Sequence, residues 1–250
     1  MRFRVATLNL EQDHKRWESR RDLVVEQLVA LRPDVLALNE VCLPKRTAHW
    51  LRDAVRERAG VDYHLVQQTR VNGLAALEGE ALLTRFPVLE TGNLDYRTRD
   101  FVALVARLQI GSAQVDAYAT HLYASRGDDA LRLHQVQQLL AWIDGRDAAV
   151  ARFVCGDFNA TLDLPSAALM AARFRATQTA PTAFTPLAGV DGEVTHPDRA
   201  RMDRCIDFIW ISEALRVHDS RVCFNQPSPA DATLWPSDHA GVYADLEVQG

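Results

Sequence analysis

Between Tyr63 and Ala119 one strand-like run follows another with no helical period between them, while on either side of this stretch strands alternate with helices. A chain of this order reads as α/β, with sheets covered by helices. Upstream, Phe3–Leu8 reads as a strand and Glu18–Leu31 as a helix with apolar positions at Val24, Val25, Leu28, Val29 and Leu31. Pro33 stops that helix, a strand follows at Val35–Leu38, and Thr47–Arg58 is a second helix. The middle holds strands at Leu82–Thr84, Val88–Leu94, Phe101–Gln109 and Gln114–Ala119, with turn signals at Gly79, Pro87, Gly92 and Gly111. Downstream, Val136, Leu139, Leu140 and Ile143 recur at helical spacing within Ala130–Ile143. Ala151–Cys155 is a buried strand, and the less regular 160–204 region contains a short helix near Ser166–Arg173. Ile206–Ile211, Val217–Phe224 and Val242–Val248 close the chain as strands. Two sheets packed face to face, with helices outside, fit this order. The absence of an internal repeat, low-complexity tract or linker predicts a single domain over 1–250.

Composition narrows the partners. The net charge of −5 gives no general pull toward nucleic acid or an anionic membrane, so a polyanion would be held by a local patch or a metal ion. Cys42, Cys155, Cys205 and Cys223 are far apart in the chain and form no metal-binding pair. Cys155 and Cys205 lie within apolar runs and read as buried thiols. The chain enters a strand at Phe3 without a signal-peptide core, and no run reaches the roughly 18 to 20 apolar residues of a membrane span. A reduced, cytoplasmic setting and a monomer without a protein partner are the default expectations.

The apolar runs end in polar residues. Val5-Ala6-Thr7-Leu8 ends at Asn9 with Glu11 beyond, and Val35-Leu36-Ala37-Leu38 ends at Asn39-Glu40. The run through Thr120 ends at His121, Phe153-Val154-Cys155 ends at Gly156-Asp157-Phe158-Asn159, and the last strand begins after Ser237-Asp238-His239. In an extended segment Asp157 and Asn159 would present two oxygens on one side, because side chains alternate across a strand. Asp238 followed by His239 pairs a hard-cation ligand with a proton carrier. Asp207 interrupts Cys205-Ile206-Asp207-Phe208-Ile209-Trp210-Ile211, and a carboxylate there needs a partner, for which a histidine is suited. Taken singly these are turn formers, surface carboxylates or structural histidines. Together they indicate a cleft for metal-assisted hydrolysis of a phosphate ester.

In this order the residues resemble the endonuclease/exonuclease/phosphatase superfamily, and in particular its DNase I-like and neutral sphingomyelinase-like branches. The matching segments are Thr7-Leu8-Asn9, Leu38-Asn39-Glu40-Val41, Gly79-Glu80-Ala81-Leu82-Leu83-Thr84-Arg85, Thr120-His121-Leu122, Gly156-Asp157-Phe158-Asn159, Ile206-Asp207 and Ser237-Asp238-His239. The resemblance implies a four-layered α/β sandwich, with two packed, mostly antiparallel sheets flanked by helices. It also implies Mg²⁺ as cofactor, with Mn²⁺ a substitute. Glu40 is then the principal metal ligand, Asn9 and Asp238 help to hold the ion or its waters, and Glu11 is a second candidate ligand. Asp157 and Asn159 orient the nucleophilic water and a phosphate oxygen. His239 pairs with Asp207 as base or phosphate-stabilising cation, and His121 stabilises developing charge or assists the leaving group. Asn39 departs from the glutamine that many relatives carry before the metal glutamate.

The substrate is less constrained. Arg126, the cluster Arg199, Arg201 and Arg204, and Trp235 could bind the phosphates and bases of a nucleic acid, although Trp235 reads first as a packed side chain. A phosphodiesterase acting as a nuclease is the leading expectation. A lipid or small-molecule esterase of sphingomyelinase or inositol-phosphatase type, and a non-catalytic binding module of the same fold, are the alternatives.

Overall fold

The computed structural model describes residues 1–11, 16–69, 77–98, 101–124, 127, 129–146, 149–183 and 202–249. Its elements begin β1 (Arg2–Asn9), α1 (Trp17–Leu31), β2 (Val35–Cys42), α2 (Thr47–Ala59), β3 (His64–Thr69) and β4 (Glu78–Thr84). They continue through β5 (Val88–Asp95), β6 (Val102–Ile110), β7 (Ala113–His121), α3 (Asp129–Asp144) and β8 (Ala151–Asp157). The last are α4 (Pro165–Ala171), β9 (Arg175–Ala176), β10 (Asp207–Ile211), β11 (Leu215–Cys223) and β12 (Gly241–Val248). Two six-stranded sheets form, with orders β11-β12-β1-β2-β4-β3 and β5-β6-β7-β8-β10-β9. Each has one parallel pair at its centre, β1 with β2 and β7 with β8, among otherwise antiparallel neighbours.

The twofold alternation of a strand builds the layers. Val5 of β1 and Val35 and Ala37 of β2 face the second sheet, where they meet Ala117 and Ala119 of β7, Phe153 and Cys155 of β8, and Ile209 and Ile211 of β10. The intervening residues Ala6, Leu8, Leu36 and Leu38 pack instead on Trp17, Val24 and Leu28 of α1 and on Leu51 and Val55 of α2. On the far side Tyr118, Val154, Phe208 and Trp210 pack against Val136, Leu139 and Ile143 of α3 and Met170 of α4. The result is helix, sheet, sheet, helix, the expected four-layered sandwich. Both faces of the central strands are buried, which is why those strands read as unbroken apolar runs.

The expected elements are present, with shifted ends. β2 continues four residues past Leu38 to Cys42, β8 runs on to Asp157, and β10 begins at Asp207 rather than Ile206. β3 lies in the strand-rich stretch from Tyr63 without an alternating pattern of its own, and the two-residue β9 lies in the 160–204 region, where no strand is expected. The four cysteines are free thiols; Cys155 is fully buried, whereas Cys205 is half-buried. Trp235 is buried, so the packed reading holds and its indole is not an exposed stacking surface. Arg126, Arg199 and Arg201 lie outside the described residues. No helix among those described is long and apolar enough to cross a membrane.

Because β1 and β2 run parallel, as do β7 and β8, their carboxyl ends lie side by side within each sheet. The antiparallel β10 starts at that same end, with Asp207 opposite Asp157. In open α/β sheets this carboxyl edge is where ligands bind.

Candidate active site

The polar residues end the rows with which each sheet faces the other. Asn9 continues the row of Val5, Asn39 that of Val35 and Ala37, and His121 that of Ala117 and Ala119. Asp157 follows Phe153 and Cys155, and Asp207 precedes Ile209 and Ile211. Register aligns them laterally: Asn9 stands opposite Asn39, while His121, Asp157 and Asp207 form one row across β7, β8 and β10. The site is thus a polar cap on the open end of the apolar core between the sheets.

Glu40 would point the other way in a regular strand. The pairing of β2 with β4 slips between Leu38 and Val41, so that Asn39 and Glu40 together oppose Glu80. Such a bulge bends a strand and re-aims its side chains. Glu40 takes a left-handed conformation, φ 56°, and its carboxylate swings to Asn9, whose Nδ2 donates to Oε1 at 2.9 Å. The same amide nitrogen donates to Asp157 Oδ2 at 3.2 Å, so Asn9 brackets two carboxylates. Its own oxygen accepts from the Glu11 N–H at 2.9 Å. Asn39 ties the two sheets together. Its Nδ2 donates to Glu80 Oε2 at 2.6 Å and to the Thr120 carbonyl at 2.9 Å, and its Oδ1 accepts from the Asp157 N–H at 3.0 Å. Gly156 is required beside it, because with φ 139° a Cβ would lie 1.8 Å from the Thr120 carbonyl oxygen.

Asn159 does not continue an extended segment beyond Asp157. β8 ends at Asp157, Asn159 has φ 49°, and its N–H closes a turn onto Asp157 Oδ1 at 2.7 Å. The local side-chain acceptor outcompetes strand pairing, as aspartate commonly does in turns. Asn159 therefore presents its amide nitrogen, not an oxygen, inward. Nδ2 donates to the Leu122 carbonyl at 3.0 Å, which fixes the amide's orientation, and its second hydrogen goes to His121 Nε2 at 3.1 Å. His121 Nε2 also lies 3.6 Å from Asp157 Oδ2 and 3.9 Å from Glu40 Oε1.

His239 comes from the segment before β12. Its Nδ1 donates to Asp207 Oδ2 at 2.9 Å, leaving Nε2 3.9 Å from Asp157 Oδ2. Ligand atoms of Asp157, Asp207 and His239 lie within 4.8 Å of one another. Ser237 hangs this segment on β1, its hydroxyl donating to the Asn9 carbonyl at 2.6 Å and accepting from the His239 N–H at 3.1 Å. Thr182 does the same for β10, with Oγ1 accepting from the Asp207 N–H at 3.2 Å and its carbonyl from the Ala240 N–H at 2.8 Å. Arg20 of α1 is fully buried and donates to the carbonyls of Pro236 and Leu10 at 2.7 and 2.8 Å. Its guanidinium also lies 3.5 Å from Glu11 Oε2. Glu11 is thus engaged with Arg20, whose charge also acts on Asp238 and Glu40. Ser237, Thr182 and Arg20 had no assigned role in the sequence reading. Ser237 was visible as part of a motif, but no local signal marks Thr182 or Arg20.

The electrostatics follow from burial. Removal from water, reinforced by Asp238, holds the Glu40 carboxyl well above the usual carboxylate range. Asp157 is pushed up to about 7 by burial and by the charge of Asp207. Burial alone would lower His239, but Asp207, Asp238 and Asp157 outweigh it and raise the imidazole well above its ordinary value. Glu40 Oε2 is buried with no hydrogen-bond partner among the described residues. An acidic oxygen without a donor, in a site of carboxylates, amides and imidazoles lacking thiolates, fits a hard divalent cation.

The family model described as Endonuclease/Exonuclease/phosphatase family matches residues 6–239. The chain belongs to this family. Nocturnin of Xenopus laevis is 26% identical over 261 residues, a match covering 92% of this chain and 65% of that protein. The chain therefore spans just under two thirds of that relative's length. The human Nocturnin catalytic domain, solved with a bound sulfate anion, superposes with a TM-score of 0.76 at 22% identity, covering 99% of this chain and 94% of that one. D. rerio TDP2 complexed with a single-strand DNA product does so at 0.76 and 15% identity, covering 99% of each chain. These two structures share the fold of the endonuclease/exonuclease/phosphatase family with this chain.

Proposed function

We propose that this protein is a Mg²⁺-dependent phosphodiesterase that acts as a nuclease, with Mn²⁺ able to replace Mg²⁺. The observation that carries the proposal is the gathering of Asn9, Glu40, His121, Asp157, Asn159, Asp207 and His239 at one strand edge, together with a buried Glu40 oxygen that has no donor among the described residues. Glu40 is the anchor for the ion, with Asp238 beside it and Asn9 holding the Glu40 and Asp157 carboxylates in place. Mg²⁺ bound there supplies Lewis-acid polarisation of the phosphoryl group.

The remaining steps belong to the chain's own residues. Asp157 orients the attacking water and accepts its proton. Its raised proton affinity suits it to that task near neutral pH. Asp207 fixes the His239 ring through Nδ1, so that Nε2 faces the reacting phosphate as an imidazolium. Asn159 holds the ring of His121 through Nε2, and His121, on gaining a proton and giving up that contact, meets the charge developing on the phosphate or leaving oxygen. Membership of the family supports the reaction class, and the DNA-bound D. rerio TDP2 structure supports nucleic acid as the substrate.

A substrate panel tests this reading. Single- and double-stranded DNA, RNA, sphingomyelin, inositol phosphates and nucleotide diesters are each offered with Mg²⁺ and with EDTA. Hydrolysis of nucleic acid that EDTA abolishes is expected. Hydrolysis of only the lipid or inositol substrates would refute the nuclease assignment, and binding without hydrolysis would identify a non-catalytic module.

A further inference from the structure

Two residues past His121 the chain places an aromatic ring that the mechanism above does not use. Leu122 is buried on the α3 side of the second sheet, whereas His121 and Tyr123 both pack against one ring, that of Phe101. The Phe101 centroid lies 5.1 Å from that of His121 and 5.8 Å from that of Tyr123, with interplanar angles of 88° and 85°. Such edge-to-face contacts fix ring orientation. A single buried ring therefore separates Tyr123 from a histidine of the reaction centre.

The Tyr123 backbone is held from both sides although it lies outside regular structure. Its N–H donates to Gln135 Oε1 at 2.9 Å, and its carbonyl accepts from Arg132 Nη1 at 3.2 Å. Gln135 and Arg132 are buried on α3. Arg132 Nε donates to Asp129 Oδ1 at 3.1 Å, and Asp129 in turn accepts from the Ser166 hydroxyl and N–H of α4 at 2.5 and 3.0 Å. Two buried polar side chains are committed to fixing one residue whose ring is only half-buried. Packing alone would explain a fully covered ring. A partly exposed aromatic ring held one ring away from His121 suits a planar group of the substrate, since every nucleobase has a face to stack and stacking tolerates sequence.

We propose that Tyr123, buttressed by Phe101, is a specificity-determining residue on which the base of the nucleoside flanking the scissile phosphate stacks. This rests on the nuclease reading and specifies its substrate as a base-bearing diester.

The test compares two short single strands that differ at one nucleotide flanking the cleavage position, which carries either a base or a tetrahydrofuran abasic analogue. With Mg²⁺ the wild type is expected to favour the base-bearing strand by about tenfold in kcat/KM, the equivalent of about 1.4 kcal/mol. The difference should reside in KM. Tyr123→Ala is expected to bring the two strands within about twofold, and Tyr123→Trp to keep the preference, because indole offers a larger stacking face. The readout is a ratio within one preparation, so loss of folded protein does not mimic it. Retention of the full preference in Tyr123→Ala, or equal cleavage of both strands by the wild type, overturns the stacking role while leaving the nuclease reading intact. Cleavage of neither strand by the wild type overturns the nuclease reading and the stacking role together.

Discussion

Glu40→Gln is expected to lower Mg²⁺-dependent phosphodiester hydrolysis by about 10²–10⁴ while leaving the ion-free fold as stable as before or more so. Glutamine keeps the volume of the side chain and an oxygen for the Asn9 amide, which lies 2.9 Å from Oε1. It removes the charge whose burial beside Asp238 raises the proton affinity of Glu40. A residue retained for folding would show the opposite pattern, with lost stability and secondary effects on rate. Two measurements on one preparation separate the cases: turnover of a nucleotide diester with Mg²⁺, and the unfolding midpoint in EDTA. Near-normal turnover in the variant would remove Glu40 from the cation site.

The second large effect is expected at His239. His239→Ala should reduce turnover by about 10²–10⁴, the scale of a positioned acid–base or charged group. Asp207→Asn tests the same unit differently. The Asp207 carboxylate accepts from His239 Nδ1 at 2.9 Å and is foremost among the charges that raise the imidazole above its ordinary value against burial. Its removal lowers that value, so the limb of the pH–rate profile controlled by His239 should move to lower pH. The double variant should lose little more than His239→Ala alone, since residues acting as a unit are not additive. An unmoved pH profile in Asp207→Asn, or full multiplication of the two losses, would contradict the pairing.

Much of this site could be read from the chain because strand ends are punctuated by polarity. Asn9, His121 and Asp157 each close a run of apolar residues that faces the opposite sheet, and Asp207 opens one. Parallel central pairs then bring distant strand ends to one edge. Other features have no local signature. The bulge at Asn39 and Glu40 depends on register with β4, and nothing in Leu38-Asn39-Glu40-Val41 itself announces that two residues oppose Glu80. The extended reading of Asp157 to Asn159 failed because the Asp157 carboxylate captures the Asn159 N–H. Arg20 sits in an ordinary helical segment, and its burial under Pro236 and Leu10 follows from tertiary packing alone. Tyr123 lay beside a recognised motif and acquired meaning only through the Phe101 ring it shares with His121.

The cation site itself is tested most directly by calorimetric titration of Mg²⁺ or Mn²⁺ into the wild type and Glu40→Gln near pH 6.5. The titration is run in buffers of different ionisation enthalpy. Without a cation Asp157, whose carboxyl is raised to about 7, is largely protonated there, and burial raises the Glu40 carboxyl in the same direction. A cation on Glu40, close to Asp157, favours the ionised form of both carboxyls, so binding should release protons and tighten as pH rises. The proposed site predicts saturable, proton-releasing binding to the wild type that Glu40→Gln abolishes or weakens severely. No binding, or binding of equal affinity and proton release in both proteins, would contradict it.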